Sequence, residues 1–249
     1  MQHINWPGVE AAGLSLSIAR TPEQLHDLQR LRFRVFTEDL GVHFPQAVGD
    51  RDVDEFDPWC IHFMVRDTRS NRVVGTYRLL TPEAARQAGR YYSESEFNLA
   101  PLQAERSLLV EVGRSCIDAE YRHGTAIMLL WTALAQVMVQ GGYRYMLGCA
   151  SVSVRDDGVV ASEVWRQAQS LMARRPDVPQ IKPLHPYPLK ALRQTQPARV
   201  PPLIKGYLKV GATICGAPAW DPDFSTADFP ILLDVRWLDA RYRRHFGLC

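Results

Sequence analysis

The stretch Glu111-Val112-Gly113-Arg114-Ser115-Cys116-Ile117-Asp118, continued by Ala119-Glu120-Tyr121-Arg122-His123-Gly124-Thr125-Ala126, decides how the chain is read. Leu108 to Ile117 has the pattern of a strand, and Ala126 to Val139 that of a strongly apolar helix stopped by Gly141-Gly142. The first N–H groups of a helix have no partner within it. A glycine-bearing turn that opens a helix therefore aims several donors, and the positive end of the helix dipole, at one point. That arrangement suits a phosphate or pyrophosphate, and Arg122 and His123 add donors at its rim. The plainer alternative is an ordinary strand-to-helix turn. The G-x-G-x-x-G dinucleotide fingerprint is absent, and so is a phosphate loop ending in G-K-[ST].

Working outward, Leu14 to Arg20 alternates apolar and polar residues as a short strand does. Thr21-Pro22-Glu23-Gln24 supplies an N-cap, a proline at the first helical position and a capping-box Gln. The helix that follows places Leu25, Leu28, Leu31, Val35 and Phe36 on one face and stops near Gly41. His43 to Asp57 shows no period and reads as a loop, or as a segment that orders around a ligand. Ile61 to Arg66 and Val73 to Leu80 form a hairpin across Asp67-Thr68-Arg69-Ser70-Asn71. Polar helical stretches are predicted at Pro82 to Arg90 and Ser93 to Phe97, a strand at Tyr143 to Val152 and a helix at Ala161 to Ala173. The order β-α-ββ-β-α-β-α predicts an α/β fold with a mixed, mostly antiparallel sheet flanked by helices.

Composition then shifts. Arg174 to Lys205 carries seven Lys or Arg, the single acid Asp177 and eight prolines. It reads as an irregular basic insertion at 174–205 within a single domain spanning 1–249. Tyr207 to Cys215 and Pro230 to Leu238 resume a strand pattern.

The bulk numbers remove several functional classes. With 46% apolar and 22% charged residues and a net charge of +2, the chain is an ordinary globular one without a general nucleic-acid signature. No apolar run reaches the roughly 18 residues of a spanning helix, and Met1 to Gly13 lacks a secretory signal, so a cytoplasmic protein is expected. Cys60, Cys116, Cys149, Cys215 and Cys249 are scattered, which argues against a disulfide framework or structural zinc. No His pair has metal-ligand spacing, His62 reads as a strand residue, and no metal is expected.

Acids and arginines carry the chemistry. Asp54 and Asp57 precede a strand, Arg78 ends one, and Glu111 and Arg114 lie on another. Carboxylates grouped in this way suit a cationic substrate: one holds the cation and another removes a proton. The arginines either pair with a substrate carboxylate or keep the acids ionised. The alternative is a set of structural salt bridges, which applies to Arg34 and Arg78 above all. Glu111 lies between Leu109, Val110 and Val112, where burial would raise its pKa and make it a general base.

Tyr121 to Ala126 resembles the acyl-donor motif of the GNAT superfamily, Q/R-x-x-G-x-G/A. Gly124 and Ala126 fit its last two positions, Tyr121 stands where Gln or Arg would, and the arginine is displaced to Arg122. That departure is compatible with a carrier-protein phosphopantetheine, which has one phosphate. The resemblance implies that Arg122, His123, Gly124, Thr125 and Ala126 hold it. Arg32 to Phe36, Asp52 to Asp57, Arg78-Leu79-Leu80 and Glu111 to Arg114 resemble motifs of acyl-homoserine lactone synthases, which share that fold. With Tyr91 to Phe97, Gly141 to Ser151, Pro202 to Tyr207 and Trp220 to Phe224 added, the set resembles the bacterial L-ornithine Nα-acyltransferases. This implies an acyl-phosphopantetheine thioester co-substrate, on acyl carrier protein or coenzyme A, with no permanent cofactor. It also implies ornithine as acceptor and a lyso-ornithine lipid product.

Other assignments stay open beside this one. Another amino acid or a homoserine lactone precursor could be the acceptor, or the chain could be a silent GNAT module that binds acyl carriers or lipid. Cys149-Ala150-Ser151 lacks the local partners of a covalent nucleophile and reads as core or site lining. The basic stretch, with Lys182, Lys190, Arg193, Arg199 and Lys205 and the apolar Leu184, Tyr187, Leu189 and Leu192, has two readings. It is a solvated loop, or it meets an acidic carrier protein or an anionic membrane surface.

Overall fold

The computed structural model describes residues 8–41, 44, 47–188 and 198–246. Of the residues singled out above, His43, Leu189, Lys190, Leu192, Arg193 and Cys249 lie outside the described residues. The elements in chain order are β1 (Val9–Ala11), β2 (Leu14–Ile18), α1 (Pro22–Leu40), β3 (Ile61–Asp67), β4 (Val73–Leu80) and α2 (Pro82–Ala88). They continue with β5 (Phe97–Asn98), β6 (Leu109–Ile117), α3 (Thr125–Gly141), β7 (Tyr145–Ser153), α4 (Val159–Arg174) and β8 (Lys182–Pro183). The last are α5 (Pro202–Val210), β9 (Thr213–Ile214), β10 (Ala219–Asp221), β11 (Thr226–Asp234) and α6 (Ala240–His245). This is the mixed α/β architecture, with mostly antiparallel strands and flanking helices, that the element order predicts.

The chain forms two compact units. The first combines the residues up to Ala88 with Val112–Tyr143, and the second combines Gly89–Glu111 with Arg144 onward. In the first unit the strand order is β1-β2-β3-β4-β6. The β3–β4 hairpin turns where Asp67 Oδ1 accepts from the amides of Arg69 (3.0 Å) and Ser70 (2.7 Å), with Asn71 left-handed at φ 57°. Helix α1 starts with the expected reciprocal capping box between Thr21 and Gln24 and ends at Gly41, φ 56°. Its Leu31 and Val35 pack with Cys116 in a small buried cluster.

In the second unit the order is β6-β7-β11-β10, with β9 also on β11. β6 and β7 are parallel, and their three residue pairs end at Glu111–Leu147. β11 runs antiparallel to β7 over nine pairs, from Thr226–Ser153 to Asp234–Tyr145. Against these strands Ala161, Val164 and Ala168 of α4 and Ile204 of α5 join Val152, Ile214 and Phe229 in one core.

Four expectations need correction. Tyr207 to Val210 is helical, and only Thr213–Ile214 is strand. Pro201 and Pro202 occupy the N-cap and first helical position, where a missing N–H costs nothing, so a proline-rich sequence still opens α5. Ile204, Tyr207 and Leu208 then reach the core at helical spacing. The 174–205 stretch is accordingly not irregular throughout: Lys182–Pro183 pairs with Phe97–Asn98, and residues 202–205 belong to α5. This also makes the end of the predicted Ser93–Phe97 helix a strand, after a short 3₁₀ turn over Tyr92–Ser95. The strand placed at Pro230 to Leu238 begins earlier and ends at Asp234, whose carboxylate caps the turn Val235–Trp237 by accepting from the Arg236 amide at 2.9 Å.

Candidate active site

In the first unit three arginines meet three aspartates. Arg32 of α1 is fully buried and pairs with Asp57 at 2.7 Å and with Asp52 at 2.9 Å. Arg78 of β4 reaches Asp54 and Asp57, each at 2.9 Å. Arg114 of β6 reaches Asp54 at 2.8 Å and Asp52 at 3.2 Å. Arg114 is left-handed at φ 50°, an uncommon conformation for a residue with a side chain. The formal charges of these six side chains cancel. Burial works to raise the Asp57 carboxyl, but the hydrogen bonds and charge of Arg32, and the charge of Arg78, hold it well below the usual carboxylate range. Asp54 is lowered in the same way by Arg78 and Arg114, against its burial. His62 on β3 meets the Asp57 carbonyl through Nε2 at 2.9 Å. Burial depresses it to about 4, although Asp57 opposes the shift. Arg34, the other arginine of α1 considered for binding, instead pairs with Asp118 at 2.6 Å as a structural tie.

The same unit contains the glycine turn that opens α3. Gly124 caps α3 at φ 102°, a conformation that a side chain would strain. The first helical bond runs from the Met128 amide to the Gly124 carbonyl at 3.1 Å, so the amides of Thr125, Ala126 and Ile127 precede it. Arg122 pairs with Asp39 at 2.6 Å and donates through Nε to the Ile117 carbonyl at 2.9 Å.

In the second unit Glu111 is 5% exposed, and both its oxygens are engaged. Oε2 accepts from the Tyr92 amide at 2.7 Å. Oε1 accepts from the Ser93 amide at 2.7 Å and from the Ser93 hydroxyl. The turn that supplies these donors is itself fixed. Tyr91 is fully buried and donates its hydroxyl to the Leu109 carbonyl at 2.7 Å, while Glu94 accepts from the Tyr91 amide and pairs with Arg106 at 2.6 Å. Ser93 Oγ also lies 3.3 Å from Cys149 Sγ. Burial, together with Glu96 and Asp228, pushes the Cys149 thiol well up, which disfavours the thiolate that a covalent nucleophile needs.

Sequence reasoning missed what lies beyond Cys149. Glu96, Asp221 and Asp228 bring carboxylate oxygens within 4.8 Å of one another. Burial, reinforced by the charges of Asp228 and Asp221, raises Glu96 to about 9. No local spacing announces this group. The β10–β11 hairpin pairs Asp221 with Thr226 and Ala219 with Asp228, and the β11–β7 register sets Asp228 against Ser151. Only the quoted motifs Tyr91 to Phe97 and Trp220 to Phe224 contained two of the three acids.

Residues 31–132 match the family model described as an acetyltransferase (GNAT) domain. Two relatives are called L-ornithine N(alpha)-acyltransferase. The one from Rhodobacter capsulatus is 32% identical over 95% of this chain and 96% of its own, and that from Rhizobium meliloti is 32% identical over 95% and 85%. The chain belongs to the L-ornithine Nα-acyltransferase family. As a member of that family it is an N-acyltransferase of the GNAT class. Solved structures agree on the fold. An N-acyl amino acid synthase from uncultured soil microbes superposes with a TM-score of 0.54 at 14% identity, over 90% of this chain and 91% of that one. A coenzyme A-dependent acyl-homoserine lactone synthase gives 0.52 at 15% identity, over 90% and 82%. No helix among the described residues of this L-ornithine Nα-acyltransferase family member is long and apolar enough to cross a membrane.

Proposed function

We propose that the protein transfers a (3-hydroxy)fatty acyl group from acyl carrier protein to the α-amine of L-ornithine, giving a lyso-ornithine lipid. Full-length similarity to proteins named for that acceptor supports the substrate, and the Glu111 carboxylate supports the chemistry. Glu111 is the catalytic base. Its oxygens are held by Tyr92 and Ser93, so it meets the acceptor without first reorganising.

The ammonium of the acceptor gives its proton to Glu111, directly or through one water, and the freed nitrogen attacks the thioester carbonyl carbon. A C–N bond forms, the C–S bond breaks, and the carrier thiol leaves with a proton. The thioester is already activated, so positioning, proton removal and charge stabilisation are the enzyme's share of the work. Arg122, His123, Gly124, Thr125 and Ala126 bind the single phosphate of the carrier's phosphopantetheine at the start of α3. Asp54, Asp57, Arg78 and Arg114 serve the acceptor as a charge-balanced hydrogen-bonding frame rather than as free charges. Lys182, Arg199 and Lys205 are exposed and complement an acidic carrier protein.

The test offers the purified enzyme 3-hydroxyacyl carrier protein or the matching coenzyme A thioester, with a panel of amino acids, and weighs the amide products. Ornithine amide from the carrier-bound donor supports the assignment. Product with glycine alone, or with no amino acid, removes it.

A further inference from the structure

We propose that Glu96, Asp221 and Asp228 together hold the side-chain ammonium of the diamino-acid acceptor and so set the enzyme's choice of amino acid. The inference rests on the ornithine assignment above and deepens it.

Three observations carry it. The first is geometric: one oxygen from each carboxylate lies within 4.8 Å of the others, a spacing in which one ammonium can touch all three. The second is Glu96 itself. Both of its carboxylate oxygens are buried without a well-formed hydrogen bond, with only Cys149 and Tyr92 close by as weak donors. A buried acid so weakly satisfied is costly unless a ligand supplies a stronger donor. Its neighbours are already oriented. Asp228 accepts from Thr226 Oγ1 at 2.7 Å and Ser151 Oγ at 3.1 Å, and Asp221 accepts from the Phe224 amide at 3.1 Å. The upward shift of Glu96 to about 9, caused by burial and then by Asp228 and Asp221, marks a place where a positive charge would be welcome.

The third observation ties the cluster to the reaction. Glu96 directly follows the turn Tyr92–Ser95, and its amide donates to the Ser93 carbonyl at 3.2 Å. One short turn thus presents Ser93 to the base Glu111 and Glu96 to the acidic cluster. An acceptor with two amines, one reactive and one not, needs two such stations. Burying the distal ammonium at Glu96 leaves the α-amine as the nitrogen offered to Glu111.

The experiment compares ornithine with norvaline, which has the same carbon chain and no side-chain amine, using acyl carrier protein thioester as donor. Wild-type enzyme should favour ornithine in kcat/KM by about 10- to 100-fold, the size expected for hydrogen bonds to a charged group. In Glu96→Gln that preference should collapse to within a few-fold, mainly through KM for ornithine. If Glu96→Gln does not fold, Asp221→Asn carries the same comparison. A folded variant that keeps the wild-type ratio overturns the proposal, as does a wild-type enzyme that takes norvaline equally well. Thermal stabilisation by Ca²⁺, Mg²⁺ or Mn²⁺ that Glu96→Gln abolishes, with the ratio intact, assigns the cluster to a metal ion and also overturns it. Absence of any ornithine amide from wild-type enzyme removes both this proposal and the ornithine assignment. Ornithine amide with an unaltered ratio removes this one alone.

Discussion

Ser93 gives both its backbone amide and its hydroxyl to one oxygen of Glu111, Oε1. The proposed base is therefore aimed by a side chain whose removal leaves the amide contact in place. Ser93→Ala should lower kcat by about tenfold with little change in KM, and Ser93→Thr should restore most of it. Glu111→Gln removes the proton acceptor and should cost about 10²- to 10⁴-fold in kcat/KM. Circular dichroism and thermal melts would show whether each variant is folded. A folded Glu111→Gln enzyme with wild-type turnover would remove Glu111 from the mechanism.

Acid should unfold the protein through the arginine–aspartate network. The Asp54 and Asp57 carboxyls are depressed in the folded state, so their contribution is present above the unfolded value of about 4 and is lost as pH falls through the folded one. His62, depressed to about 4, adds a loss that begins as pH drops below its usual value near 6.5, because the unfolded chain takes up the proton first. In Glu96→Gln, which lacks the opposing contribution of Glu96, melting temperatures should therefore decline from about pH 6.5 downward and fall steeply below about pH 4. Asp57→Asn, which leaves the buried network one positive charge in excess, should cost about 3–5 kcal/mol at neutral pH. Urea denaturation measures both. A flat profile of Glu96→Gln between pH 4 and 7 would contradict the role given to His62.

Glu96 has the opposite sign. Its folded value, about 9, is above the unfolded one, so its contribution is complete below about pH 4.5 and is lost as pH rises towards 9. Glu96→Gln removes this dependence. Its melting temperature relative to wild type should therefore be higher at about pH 9 than at about pH 5. The same difference at both pH values would show that Glu96 is not held protonated.

Gly124 tests the donor side. A Cβ there meets no atom within 4 Å, so Gly124→Ala acts through its φ of 102° alone. Backbone strain of about 1–2 kcal/mol should shift the first amides of α3. The KM for the acyl donor should rise several-fold while that for ornithine moves little, as initial rates with each substrate varied would show.

Much of the frame was legible because its signals are local. Thr21-Pro22-Glu23-Gln24 caps α1, and the Asp67 turn closes the hairpin, as their side chains dictate. Gly124 opens α3 for a similar reason. Tertiary context decided the rest. Tyr207 to Val210 carries β-type residues but is helical, because Pro202 starts a helix whose Ile204 and Leu208 fill the core. At the site, Glu111 stood out as an acid inside an apolar strand. Its partner Ser93 did not, since nothing in Tyr91 to Phe97 shows which residue turns towards β6. Glu96, Asp221 and Asp228 meet only through the register of β7, β10 and β11, a relation that spans more of the chain than any motif.

The central claim is acylation of ornithine at its α-nitrogen by direct attack on a thioester. Ornithine labelled with ¹⁵N at the α-position, incubated with enzyme and 3-hydroxyacyl carrier protein, would yield an amide whose nitrogen NMR and fragment masses locate the acyl group. The account predicts that every acyl group is on ¹⁵N, with stoichiometric release of carrier thiol. Acylation of the side-chain nitrogen, or thiol release without amide, would contradict it.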